Sequence, residues 1–221
     1  AAINTPVTYT LNAGQFLQIT QPEELTGSPL ESDKPVGVFG ASTCMRVPTD
    51  KSDCDSGQQQ LPPIGALGSE YVAVRHKSRV PGVEEPGRWR MVGVVDGTTL
   101  TWSPTKPPNA PTSIGLGEVA EFEDPGPFVV RSQDVDHPFY LGAYMTGGAS
   151  FANVGDPEWH NVVPPLQYMK RYALFTDPTY PETSLVVVRV RSKGATKVFL
   201  PVTLKCHGEL SGWNPLDENY E

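Results

Sequence analysis

No stretch of the chain approaches the run of about 18 apolar residues that a membrane-spanning helix requires, so membrane insertion is not expected. Cations are scarce as well: 17 Lys and Arg stand against 25 Asp and Glu, for a formal net charge of −8. A nucleic-acid footprint needs clustered cations to neutralise phosphates, and this balance argues against it. Long uninterrupted segments are also lacking. Pro (23) and Gly (21) break the 221 residues so often that long helices are disfavoured and short strands joined by turns are favoured. No secretory leader opens the chain; Ala1-Ala2-Ile3 runs into a polar strand, as expected of a mature form or a processed fragment. Hydrophobic content is low at 38%, yet aromatic and β-branched residues are plentiful, which speaks against disorder.

Only three cysteines are present. Cys44 and Cys54 lie close enough to bridge across a loop rich in Pro, Asp and Ser, and closing so small a loop would stabilise by roughly 2–3 kcal/mol in the chain-entropy reading. Cys206 is then left over, unpaired or bonded to something outside the chain. Three reduced thiols in a cytosolic protein are the alternative; a bridge fits an extracellular or cell-surface location better.

The remaining pattern is all-β. Runs at 7–11, 15–20, 30–32 and 35–40 are separated by turn residues, as are 71–75, 89–95 and 98–102. Asp96-Gly97 between the last two is a strong hairpin signal, because a type I′ turn requires positive φ at both central positions. At most a turn of helix is expected at 165–170. Past a Pro-rich linker at 104–112, the early pattern returns. Leu11-Asn12-Ala13-Gly14-Gln15-Phe16 is answered by Ile114-Gly115-Leu116-Gly117-Glu118-Val119, and Glu31-Ser32-Asp33-Lys34-Pro35-Val36 by Arg131-Ser132 and, after an insertion, His137-Pro138-Phe139. Leu61-Pro62-Pro63-Ile64 through Tyr71-Val72-Ala73-Val74 is answered by Val163-Pro164-Pro165-Leu166 through Tyr172-Ala173-Leu174-Phe175. Stretches 90–94 and 97–102 are matched by 186–190 and 194–199. A register near 100 residues implies an internal duplication. The expected fold is therefore antiparallel, with two repeated units of about 100 residues as β-sandwich-like modules and a propeller-like repeat as the alternative. One complete unit spans 60–145. The head (1–41) and the tail (163–206) are expected to pair into a second, since half a sandwich would leave an apolar face wet. Residues 207–221 form a C-terminal extension.

The block Ser32-Asp33-Lys34-Pro35-Val36, Cys44, the acidic loop to Cys54, Gln60-Leu61-Pro62-Pro63 and Leu67-Gly68-Ser69-Glu70-Tyr71-Val72 is distinctive. With Asp96-Gly97-Thr98-Thr99-Leu100 downstream, it resembles the amino-terminal domain family of the IgG Fc-binding protein, which also occurs in secreted or surface proteins of bacteria. The likeness runs from about residue 7 to 213. It implies an extracellular, disulfide-bearing, non-enzymatic binding or adhesive module, with flanking parts of a longer polypeptide as one class of partner. It also implies a cysteine farther downstream in relatives as a partner for Cys206. It defines no residue set for immunoglobulin binding.

Asp50, Asp53 and Asp55 with Gly57 faintly resemble a calcium loop, but the spacing is not that of an EF-hand and no bidentate Glu follows. A solvated acidic loop is the plainer reading, so no metal and no cofactor are expected. Asp156, Glu158 and His160 alternate and would share one face of an extended segment, near Asp134, Asp136 and His137 of a matching insertion. Gly155-Asp156-Pro157-Glu158 departs by its Glu from the Gly-Asp-Pro-His pattern of self-cleaving domains. Trp89 and Trp102 read as packing; Trp159 and Trp213, in Gly/Pro-rich surroundings, are better placed for contact. Neither a nucleophile elbow nor a Cys–His pair appears, so catalysis is not expected. The function expected is recognition of an extracellular protein or glycan through inter-strand loops. The contact candidates are Asp50, Asp53, Asp55, Trp159 and His160, on the Cys44–Cys54 loop and its counterpart around 147–160. A structural segment of a filament or surface layer, or a carbohydrate-active enzyme, are the competing classes.

Overall fold

The structure, a computed structural model, describes residues 5–176, 178–179, 182–193 and 196–221. Residues 1–4 of the head, and 177, 180, 181, 194 and 195 of the tail, the last two in the matched stretch 194–199, therefore lie outside the described residues. Twelve strands are present among the described residues, with single 3-10 turns at Ile64–Ala66, Gly148–Ser150 and Pro165–Gln167 as the helical content.

A hairpin comes first, β1 (Phe39–Met45) with β2 (Asp55–Gln60). Two four-stranded antiparallel sheets then share one core. One contains β4 (Arg88–Gly93), β7 (Val119–Glu123), β9 (Phe139–Met145) and β10 (Glu158–Asn161), in the order β10-β9-β4-β7. The other contains β3 (Glu70–Ala73), β5 (Thr98–Ser103), β6 (Ser113–Ile114) and β8 (Phe128–Ser132), in the order β3-β8-β5-β6. A small hairpin of β11 (Thr203–Leu204) and β12 (Gly208–Glu209) closes the list.

Period-two patterning places the core. Along β4, Trp89 and Met91 point inward and the arginines between them outward. Trp89, Phe122, Phe128, Tyr71, Phe139 and Leu141 meet from both sheets. Edge-to-face contact between Trp89 and Phe128, at 5.0 Å, and between Trp102 and Phe122, at 5.4 Å, locks the aromatics together. Burying side chains of this size contributes about 1.5–3 kcal/mol each. The outer face of the β3-β8 sheet is covered as well: Val72 and Val129 pack against Val188 from the tail and Leu216 and Tyr220 from the C-terminal extension. There Arg131 pairs with both Glu70 and Asp217, the latter at 2.7 Å.

The structure departs from sequence expectation at two places. Asp96-Gly97 does not close a hairpin, although Gly97 has positive φ (73°). Both edges of β4 are already taken, by β7 and β9, so the chain crosses to the opposite sheet before β5 begins. Asp96 turns its carboxylate to the backbone of Leu116 instead. Second, the described part of the head before Phe39 forms no strand, nor do the described residues among 168–189 of the tail. A strand is defined by its ladder, and among the described residues the nearest these segments come to one is the isolated Val190–Tyr220 bridge, flanked by the Arg189–Glu221 backbone bonds. The head reaches the central sandwich through Glu24, which pairs with Arg90, and through Gly27, which lies against Gly117.

Candidate binding surface

The β1–β2 and β9–β10 hairpins have the same register. Gly40, Ala41 and Ser42 face Gln59, Gln58 and Gly57, as Gly142, Ala143 and Tyr144 face Asn161, His160 and Trp159. Each hairpin is followed by a proline pair and a 3-10 turn. The loops that close them therefore leave the body on the same side and meet.

Cys44 and Cys54 are disulfide-bonded, with Cα atoms 4.9 Å apart, so the first loop is closed at its base. Cys206 is free and exposed. Asp53 ties this loop to the second: its Oδ2 accepts the Ala149 amide at 2.8 Å, and Gly147 donates to the Val47 carbonyl at 2.9 Å. A side chain at Gly147 would strike the Asp53 carboxylate, which is why glycine stands there. Asp50 is exposed and 3.9 Å from Lys51; Asp55 is exposed and caps the Ser56 amide. The three aspartates thus point to three different partners. Among the described residues no group of three His, Cys, Asp or Glu converges as a metal site would.

Beneath the second loop lies a cluster that sequence reading missed. Glu85 is fully buried and accepts the Arg79 amide at 3.0 Å and its Nε at 2.9 Å. Arg79 reaches on to the carbonyls of Thr146 (2.8 Å) and Val154 (2.7 Å), and its guanidinium covers the ring of Phe151. His76 Nε2 lies 3.0 Å from the same Glu85 carboxylate. Burial pushes the Glu85 carboxyl up, but the Arg79 hydrogen bonds and His76 outweigh it and hold it below its ordinary range. Such a buried, bidentate pair fixes geometry that a surface pair could not. The signal was present as charges inside the Pro/Gly-rich connection at 76–87, but nothing local marks which of them become buried.

Trp159 is half-buried rather than offered to solvent. Its indole donates to Tyr140 at 2.9 Å, stacks at 6.2 Å on Tyr144, and is met by Gly40 from the first hairpin. It cements one hairpin to the other. His160 alternates with it and lies opposite Ala143, on the core side of the edge strand β10; desolvation, and then the nearby His76, lower its pKa. Trp213 donates to Leu210 and lies under Arg189, 4.0 Å from the ring centre. Asp134 accepts from the His137 ring at 2.7 Å, within its own turn. Asp156 and Glu158 are exposed.

The IgGFc binding protein family pattern matches residues 1–221, the whole chain. The chain belongs to that family. No curated protein and no solved structure is similar enough to match it. The family is one of binding proteins rather than of known enzymes, and the all-β architecture with a local disulfide accords with the kinship read from the Cys44-to-Pro63 block. Among the described residues no helix is long and apolar enough to cross a membrane.

Proposed function

We propose that the chain is an extracellular binding module whose contact surface is the paired-loop platform of 46–55 and 147–160, and that it recognises a protein or a glycan there. The observation that carries this reading is the cross-bracing of the two loops. One is closed by a disulfide, the other clamped from below by Arg79, and Asp53 joins them. A surface held this way loses little conformational freedom on binding, which is the general source of affinity in preorganised sites. Its exposed acids (Asp50, Asp55, Asp156 and Glu158) make the platform anionic and suit a basic partner face.

Catalysis forms no part of this reading. The cleft between the two proline pairs, walled by Leu61, Pro63, Tyr71, Val162 and Pro164, has no carboxylate in its lining.

The test is a binding screen of the purified chain against immunoglobulin Fc, which the family name makes the first candidate, other secreted proteins, and glycans. A hit should weaken several-fold in the Asp50→Ala, Asp55→Ala double variant and in raised salt, with the fold unchanged. A screen without hits, or hits indifferent to both changes, would remove the platform from consideration.

A further inference from the structure

We propose that the head and the tail are the two halves of a second β-sandwich, completed between copies of this chain: the head of one copy interleaves with the tail of another.

The central sandwich supplies the template. It is assembled from two sequence halves, 70–103 and 113–161; the first makes no ladder of its own, and the second makes only the β9–β10 hairpin. β3 pairs with β8, β4 with β7 and β9, and β5 with β6 and β8, so every strand of the first half pairs only with strands of the second. By the repeat, the head corresponds to 113–143 and the tail to 70–103.

Both keep the local geometry of their counterparts. At Asn12–Gln15 the Gln15 amide bonds to the Asn12 carbonyl at 3.0 Å and the Gln15 side chain accepts the Asn12 amide at 2.8 Å. Gly115 and Glu118 repeat both bonds, at 3.1 and 2.8 Å, and Gly14 and Gly117 share positive φ (81° and 74°). In the tail, the Tyr172 hydroxyl accepts the Met169 amide at 2.8 Å, as Tyr71 accepts that of Gly68 at 3.0 Å.

Among the described residues the ladder contacts of these segments are confined to the end of β1 in the head and to β11 and the Val190–Tyr220 bridge in the tail, and their remaining runs also lack cover. Ile114, Phe122, Tyr71 and Ala73 are buried in the core, whereas the matched Leu11, Ile19, Tyr172 and Leu174 are 46%, 51%, 66% and 54% exposed. So much apolar surface on two segments marks an interaction site. Its natural complement is the one already seen across the central sandwich.

A second copy, rather than the same chain, is favoured by where the segments are anchored. Glu24 of the head holds Arg90 on the outer side of β4, while Val188 of the tail, bridged next door to Tyr220 of the C-terminal extension, sits on the outer face of the β3-β8 sheet. These are opposite faces of one sandwich. Reciprocal exchange would close a dimer; one-way exchange would give a ring or a fibre.

The test uses the full chain carrying Cys206→Ser. Trp89 faces Phe122 across the central ladder, which makes Leu185 the expected neighbour of Ile19 between copies. An Ile19→Cys chain mixed with a Leu185→Cys chain should yield a cross-linked hetero-pair in preference to either homo-pair. Light scattering of the uncrosslinked protein should show a mass of two chains or more by about 100 µM, and Ile19→Asp should return it to one chain with an unchanged dilute melting curve. A single-chain mass throughout, a cross-link that closes within one chain in the doubly substituted protein, or an assembly indifferent to Ile19→Asp would each overturn the proposal.

Discussion

Tyr71 and Tyr172 bend the same local turn in the same way, yet one is buried and the other two-thirds exposed. The central sandwich and the flanking segments differ throughout in this manner. Turns, 3-10 geometry and hairpin register follow from neighbouring residues and appear in both regions. Hairpins form in both, but among the described residues the two four-stranded sheets and the main core lie where 70–103 meets 113–161. Local sequence specifies the bend; only a complementary half turns an apolar run into a strand.

The largest effect should come from emptying matched positions in the two regions. Trp89 is fully buried, and Trp89→Ala should destabilise the chain by about 3–5 kcal/mol in denaturant titration. Leu185, its exposed counterpart in the tail, should change stability by less than about 0.5 kcal/mol in the dilute chain. Equal losses at both sites would mean that the tail is packed in solution, and the contrast would fail.

A similar loss is expected from the clamp beneath the platform, with a pH signature of its own. Removing one member of a buried ion pair costs about 3–5 kcal/mol, so Glu85→Ala should approach that range. Because the folded carboxyl titrates below its ordinary value of 4.5, the pair stabilises fully above that pH. The contribution is lost as pH falls through the lowered folded value. The acid side of the stability profile should therefore flatten in Glu85→Gln, and amide exchange should quicken across 147–155. Acid sensitivity identical to the parent chain would show that Glu85 does not carry it.

Much of the architecture was legible in the chain. Alternation in 88–93 and 98–103, the proline pairs and the cysteine spacing gave the all-β class, the bridge and the family likeness. Asp96-Gly97 misled because turn chemistry is local, whereas the choice between hairpin and crossover depends on who already occupies the edges of β4. Head strands were expected from apolar alternation alone, which reports what a segment would bury, not whether a partner is there. The Arg79–Glu85 clamp was invisible for a related reason. A charge in a Pro/Gly-rich connection looks solvated until Thr146 and Val154, about 70 residues on, close over it. Trp159 read as a contact residue by its surroundings, but the hydrogen bond from its indole to Tyr140 lies across the β9–β10 pair and leaves no mark in a short window.

The smallest and sharpest comparison is removal of one oxygen from each tyrosine. The Tyr71 hydroxyl donates to the Phe139 carbonyl at 2.7 Å and accepts the Gly68 amide at 3.0 Å. In Tyr71→Phe both buried groups lose their partner, an effect of about 1–3 kcal/mol. In Tyr172→Phe the exposed Met169 amide turns to water instead, and the change should stay below about 0.5 kcal/mol. Alkali separates the role of Tyr71 further. Burial pushes its pKa from 10.0 up to about 12, so the unfolded chain ionises first. Its contribution is whole below pH 10 and declines as pH rises toward 12, and Tyr71→Phe should remove that part of the alkaline slope. Were Tyr172→Phe as damaging as Tyr71→Phe in the dilute chain, the tail turn would have to be buried, and the distinction between a completed half and a waiting one would collapse.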